Sequence, residues 1–205
     1  VDRFYRGNSK KDNVFFFEYD NLIYFNISDY IQIFEKEYKI GMTSMSESMI
    51  VCGFSYFKDL DSVSELCDFI LRKWDLKLVD MAFWPFAKRF TGIIKDLPVI
   101  PTELMVSQSL FNSNDVIYDN LFERFDSIFD AAPYGQYLCG AFGGLPGFVN
   151  DCSKYNPSKI EYVWEKDEKG KLAPFVIYRK NGITKKAKIN NLHIHSKNLQ
   201  PYISY

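Results

Sequence analysis

The sequence predicts a mixed fold, α/β or α+β, and three observations lead there. Apolar, aromatic runs of strand length lie early, at Val14 to Phe25 and Met49 to Phe57. A segment with helical periodicity and a capping signal follows the second run. The last quarter alternates strand-like segments with tight-turn dipeptides. Early strand–helix units followed by a late antiparallel meander define this class.

Val14 to Phe25 reads as a buried strand, or as one broken at Asp20-Asn21, a common turn pair. Tyr30 to Glu37 is a short helix candidate, and Met49 to Phe57 is a second strand. Ser62 and Glu65 fit a capping box that opens a helix running to Trp74. Val63, Leu66, Phe69, Ile70 and Trp74 form its apolar face. Leu78 to Arg89 is a second helical segment, disturbed at Pro85. Asp96 to Pro101 is a rigid extended connection, because each proline disfavours helix in the residue before it. Thr102 to Leu110 reads as a helix with Thr102 as cap.

Ser127 to Ala132 is a short strand. Pro133 opens a helix over Tyr134 to Leu138, since its fixed φ suits a first turn. Gly140 to Gly147 is a glycine-rich loop without the spacing of a P-loop. Glu161 to Glu165, Leu172 to Arg179 and Ile183 to Ile189 are strands, joined by turns at Asp167 to Gly170 and Asn181-Gly182. Asn191 to Ser196 is a final extended segment. No repeat and no domain boundary is visible, so residues 1–205 read as a single domain.

Bulk properties narrow the function classes. The chain has 205 residues, 47% hydrophobic and 18% aromatic, which is enough for one sizeable core. The net charge of −1 comes without a basic stripe, so nucleic acid is not an expected partner. The aromatic residues are expected in the core, with some rings lining a sugar site. Cys52, Cys67, Cys139 and Cys152 have neither zinc nor disulfide-framework spacing. Reduced thiols and a cytoplasmic location are the default. No apolar run reaches the length of a membrane span, which leaves only peripheral membrane association open. The polar start, without Met, carries no signal peptide and suggests a fragment or trimmed chain.

Glu18 and Asp20 stand two apart inside the apolar run Phe15 to Phe25. On a strand they would share one face, with Tyr19 opposite. Two unpaired carboxylates among phenylalanines are very costly to bury. They would either close a solvated turn or bind a hard divalent ion such as Mg²⁺ or Mn²⁺, which could hold a diphosphate. His193 and His195, the only two histidines, alternate with Lys197 in NNLHIHSKNL. All three would share a face if the segment is extended. The imidazoles could be metal ligands and the lysine a phosphate contact, or the pair could be hydrogen-bonded histidines at a strand end. Asp130, in FDAAPYGQYL, could be a general base, a sugar ligand or an N-cap. Gln136 and Tyr137 could add polar contacts to a substrate.

The stretches EYDN, FDAAPYGQYL and NLHIHSKNL resemble parts of bacterial polysaccharide-assembly glycosyltransferases with a GT-A-like fold. The resemblance spans roughly Asn13 to Leu199. It implies a mixed sheet flanked by helices, with the antiparallel meander at the carboxy terminus. Glu18-Tyr19-Asp20 would stand where the family has its D-x-D-like motif, with Glu replacing the first Asp. His193 or His195 would complete the metal or diphosphate site, and Asp130 would lie on the acceptor side. Only about 17 residues precede the acidic motif, too few for the βαβ nucleotide-binding region that the family places there. That region is expected to be missing, and a chain without it to bind nucleotide poorly.

The expected function is metal-dependent transfer of a sugar from a nucleotide-sugar donor to a glycan acceptor in surface polysaccharide synthesis. A non-catalytic carbohydrate-binding or interaction module and a metal-dependent hydrolase are the alternatives.

Overall fold

A computed structural model of the chain describes residues 12–73, 80–105, 121–141 and 155–203. Among the described residues it is a mixed α/β structure with three sheets and flanking helices. The first sheet is built from β1 (Asp12–Phe17), β3 (Ile40–Ser46), β4 (Met49–Asp59) and β5 (Ile94–Asp96), in the order β1-β4-β3-β5. The second pairs β2 (Asn21–Ile23) with β10 (Asn191–His193). The third, in the order β6-β9-β8-β7, contains β6 (Ser127–Ile128), β7 (Glu161–Lys166), β8 (Leu172–Lys180) and β9 (Ile183–Ile189). Pairing is antiparallel except for β3 with β5 and β6 with β9.

The long aromatic run is broken, as one of the two expected readings had it. The break comes earlier than Asp20-Asn21, because the Asn21 N–H donates to the Glu18 carbonyl at 3.0 Å and closes a turn over Tyr19 and Asp20. Glu18 and Asp20 therefore do not share a strand face. They lie in the turn between β1 and β2. Helix α1 (Ile27–Glu37) begins before the expected Tyr30, because Asn26 caps it by accepting the Ser28 N–H at 3.4 Å.

Helix α2 (Leu60–Lys73) also begins early. Its cap is Asp59, whose Oδ1 accepts both the backbone N–H and the hydroxyl of Ser62, at 2.8 and 2.6 Å. Ser62 thus sits inside the first turn and is not the capping residue. Helix α3 (Asp80–Thr91) keeps Pro85 in its interior. Helix α4 (Thr102–Met105) is the described part of the expected Thr102–Leu110 helix. After α5 (Phe122–Phe125), the expected strand at Ser127 shrinks to two residues, and α6 spans Pro133–Cys139. Trp74, Cys152 and the glycine loop from residue 142 onward lie outside the described residues.

The aromatic composition is mostly spent on the core. Phe34, Phe54, Tyr56, Phe125 and Phe129 form one buried cluster, with Phe54 and Phe129 stacked at 5.2 Å. A second cluster joins Ile40, Met42, Ile50 and Phe57 of the first sheet to Val63, Leu66 and Phe69 of α2. The third sheet packs its Ala173, Val176, Ala187 and Ile189 with Tyr134 of α6 and Leu192 of β10. Burial of this kind contributes about 25 cal/mol per Å² of apolar surface. Cys139 is a buried free thiol. Among the described residues no helix is long and apolar enough to cross a membrane.

Candidate metal centre

Two ends of the chain meet at the β2–β10 ladder, where Asn21 pairs with His193, Leu22 with Leu192 and Ile23 with Asn191. The turn carrying Glu18 and Asp20 lies at one end of this ladder. The Asp20 carbonyl extends the register by accepting the Ile194 N–H at 2.8 Å. Glu18 is held to the first sheet through its N–H, which donates to the Gly53 carbonyl at 3.0 Å.

The side chains converge. His193 Nε2 lies 3.0 Å from Glu18 Oε2 and 3.3 Å from Asp20 Oδ2. One ligand atom from each of Glu18, Asp20 and His193 can be chosen so that all lie within 4.8 Å of one another, a spacing that one metal ion can span. Asp20 is 1% exposed, yet its Oδ1 is buried with no hydrogen-bond partner among the described residues. The Lys197 ammonium bonds Asp20 Oδ2 and lies 5.2 Å from the centroid of the Tyr19 ring.

Burial would raise the Asp20 carboxyl, but the Lys197 ammonium and His193 outweigh it and hold the group below its usual range. Burial lowers His193, with Lys197 acting in the same direction against the pull of Asp20. Both effects keep its imidazole neutral, the form that can ligate a metal.

A second layer fixes His193. Its backbone N–H donates to Asp130 Oδ2 at 3.0 Å. The same carboxylate accepts the N–H of Gly135 at 2.8 Å and of Tyr134 at 3.0 Å. Asp130 therefore caps α6 from three residues before Pro133 and ties that helix to the histidine strand. The cap position itself, Ala132, has φ 88 and offers no side-chain bond, so the acid reaches over it. Burial pushes the Asp130 carboxyl up to about 7, against the opposing pull of the His193, Gly135 and Tyr134 N–H groups. Asp130, expected as a possible base, is 1% exposed with both oxygens engaged. Its place is that of a capping and positioning group.

His195 stands beside the cluster, its ring 4.4 Å from that of His193. It is not in the group whose ligand atoms converge. Its Nδ1 faces Gln136 Nε2 at 3.2 Å, and burial, with His193 and Lys197, pushes it down to about 4. Gln136, expected to meet substrate, is buried against His195. Tyr137 is part-exposed and packs on Tyr162 with ring centroids 5.7 Å apart.

Three residues that shape the site were missed in the sequence. Gly53 lets the His193 ring approach, since a Cβ there would lie 2.7 Å from His193 Nδ1. Gly135 lets α6 rest on the histidine strand, since a Cβ there would lie 2.1 Å from the His193 carbonyl oxygen. Asn191 bridges the layers: its Nδ2 donates to Asn21 Oδ1 at 2.8 Å and its Oδ1 accepts the Asp130 N–H at 3.1 Å. A lone glycine inside the apolar strand Met49 to Phe57 was a usable signal, because such glycines mark close approaches.

Comparison with protein-family models, curated proteins and solved structures returned no match. Two carboxylates and a neutral imidazole form a donor set suited to a hard or borderline divalent ion. An adjacent ammonium adds a contact for an anion bound to that ion.

Proposed function

We propose that the protein is a metal-dependent glycosyltransferase of the cytoplasm, moving a sugar from a nucleotide-sugar donor to a glycan acceptor in surface polysaccharide synthesis. The observation that carries the metal centre is Asp20 Oδ1, a buried carboxylate oxygen with no hydrogen-bond partner among the described residues, grouped with Glu18 and His193. Such an oxygen calls for a hydrogen-bond donor or a cation, and its grouping with Glu18 and His193 favours the cation. The donor set fits Mn²⁺ or Mg²⁺, which when bound would supply Lewis-acid stabilisation of a departing diphosphate.

The chain's own residues have distinct roles in this reading. Glu18 and Asp20 provide charge and oxygen ligands. His193 provides its Nε2 and is oriented through its backbone by Asp130. Lys197 reaches the phosphate side, and Asp130 enters as a positioning residue and not as a base. The sugar-transfer half, the GT-A-like sheet and the expectation of a further nucleotide-binding region draw on the resemblance of EYDN, FDAAPYGQYL and NLHIHSKNL to polysaccharide-assembly transferases.

Isothermal titration with Mn²⁺, alone and with a nucleoside diphosphate, tests the metal centre. The wild type should bind Mn²⁺ and the diphosphate cooperatively, and His193→Ala should bind neither well. Absence of Mn²⁺ binding by the wild type would remove the reading. Release of nucleoside diphosphate from a panel of nucleotide sugars, dependent on added glycan, tests the transfer itself.

One observation favours a second reading, a carbohydrate-binding module. Tyr19, between the two acids, is 81% exposed, and Phe16 and Phe17 just before them are also exposed. Such rings can stack on sugar faces. Glycan binding that survives removal of all divalent ions and is lost in Tyr19→Ala would favour the module.

A further inference from the structure

Asp20 Oδ2 is shared. His193 Nε2 approaches it at 3.3 Å, and the Lys197 ammonium bonds the same oxygen. The two partners in that ion pair are unlike in setting: the Lys197 side chain is 41% exposed, whereas that of Asp20 is almost wholly buried. Lys197 sits at φ 61 in a turn closed by its own N–H on the Ile194 carbonyl at 3.0 Å. A long, flexible stem thus reaches from a fixed turn over the acid and carries a compact point charge at its end.

We propose that Lys197 is a displaceable counter-ion of the metal centre, which neutralises Asp20 until a divalent cation binds that carboxylate and then turns its ammonium to the anion bound with the cation. The proposal rests on the metal-centre reading above and adds how that centre is regulated. Its basis is the charge balance. Glu18 and Asp20 bring two negative charges and Lys197 one positive charge, and an imidazole that ligates a metal does so in its neutral form. A divalent ion added to this set leaves one positive charge, which favours a bound anion. Without Lys197 the same ion would be balanced by the two acids alone. The lysine therefore weakens binding of the bare ion and strengthens binding of an anion once the ion is present. Metal and anion affinities are then coupled, each raising the other by the same factor.

Lys197→Met keeps the stem and the backbone conformation and removes the charge. Mn²⁺ alone and inorganic pyrophosphate at saturating Mn²⁺ are the probes, titrated into wild type and variant. Lys197→Met should bind Mn²⁺ at least about tenfold more tightly and pyrophosphate at least about tenfold more weakly, since a unit charge and a multivalent ion a few ångströms apart interact by that much even at the dielectric of water. The opposite signs are what a merely structural lysine would not produce. Lys197→Gln carries the same expectation if the Met variant is not recovered folded. Unchanged or weaker Mn²⁺ binding by the variants, with wild-type binding intact, would overturn the counter-ion role and leave the metal centre standing. Failure of both wild type and variants to bind Mn²⁺ would overturn the metal centre and the counter-ion role together.

Discussion

The carboxylate of Asp130 accepts the backbone N–H of His193 at 3.0 Å, although the two residues are 63 positions apart in the chain. The same group holds the first N–H donors of α6, so one buried acid joins a helix start to the strand that presents the imidazole. Replacing it with alanine leaves three buried N–H groups without their acceptor. Each such loss costs about 1–3 kcal/mol. Asp130→Ala should therefore lose about 3 kcal/mol or more in urea unfolding, and Asp130→Asn, which keeps one acceptor oxygen, should lose less.

The raised carboxyl of Asp130 also predicts a pH dependence. Its folded value is about 7, above the ordinary Asp value of about 3.9 expected in the unfolded chain. The unfolded state therefore releases this proton first as pH rises. Stability from the protonated group is present in full below about pH 4 and is lost as pH rises towards 7, by an amount on the order of a few kcal/mol. The difference in unfolding free energy between wild type and Asp130→Asn, measured at pH 5 and pH 8, should shrink at the higher pH. An identical difference at both values would mean that Asp130 is ionised throughout.

Gly53 and Gly135 both touch His193 but should respond differently to alanine. A Cβ at Gly53 meets a ring and an amide, which are side chains that can move. Gly53→Ala should fold and bind Mn²⁺ at least about tenfold more weakly, because the imidazole is pushed off its acids. A Cβ at Gly135 meets the His193 backbone at 2.1 Å, which cannot yield without opening the β2–β10 pair. Gly135→Ala should fail to fold or lose at least about 3 kcal/mol, the upper end of the usual cost of overpacking, because the clash is with backbone. Circular dichroism and Mn²⁺ titration of the two variants make the comparison.

The two histidines should separate in the same way. His193→Ala removes a converging ligand, so Mn²⁺ binding, followed by electron paramagnetic resonance, should fall by about a hundredfold or become undetectable. His195→Ala leaves Glu18, Asp20 and His193 in place and should change that affinity by no more than about threefold. Comparable losses in both variants would make His195 a ligand as well.

Strands with turn chemistry were the most legible part of the fold. Ile183–Ile189 coincides with its expected span, and β7 and β8 differ from theirs by a single residue each. Their register is set by Asn181-Gly182 and by the Asp167–Gly170 turn, which are local signals. Ile40–Ser46 was missed because Gly, Thr and Ser dilute its apolar character. It forms a strand because it is central in its sheet, between β4 and β5, with almost every residue buried. The cap of α2 was misplaced by three residues because Asp59 also ends a strand, and only the fold shows it doing both.

By itself, the sequence determined the candidate ligands: two acids in an apolar run, two alternating histidines and a lysine beyond them. It also determined that the protein folds around aromatic side chains and carries no basic stripe. Only the tertiary structure decided that His193 and not His195 meets the acids, that Asp130 faces backbone N–H groups, and that two glycines make room for both. The physical reason is that these outcomes depend on pairing between Asn21–Ile23 and Asn191–His193, a contact across most of the chain that local propensity cannot encode.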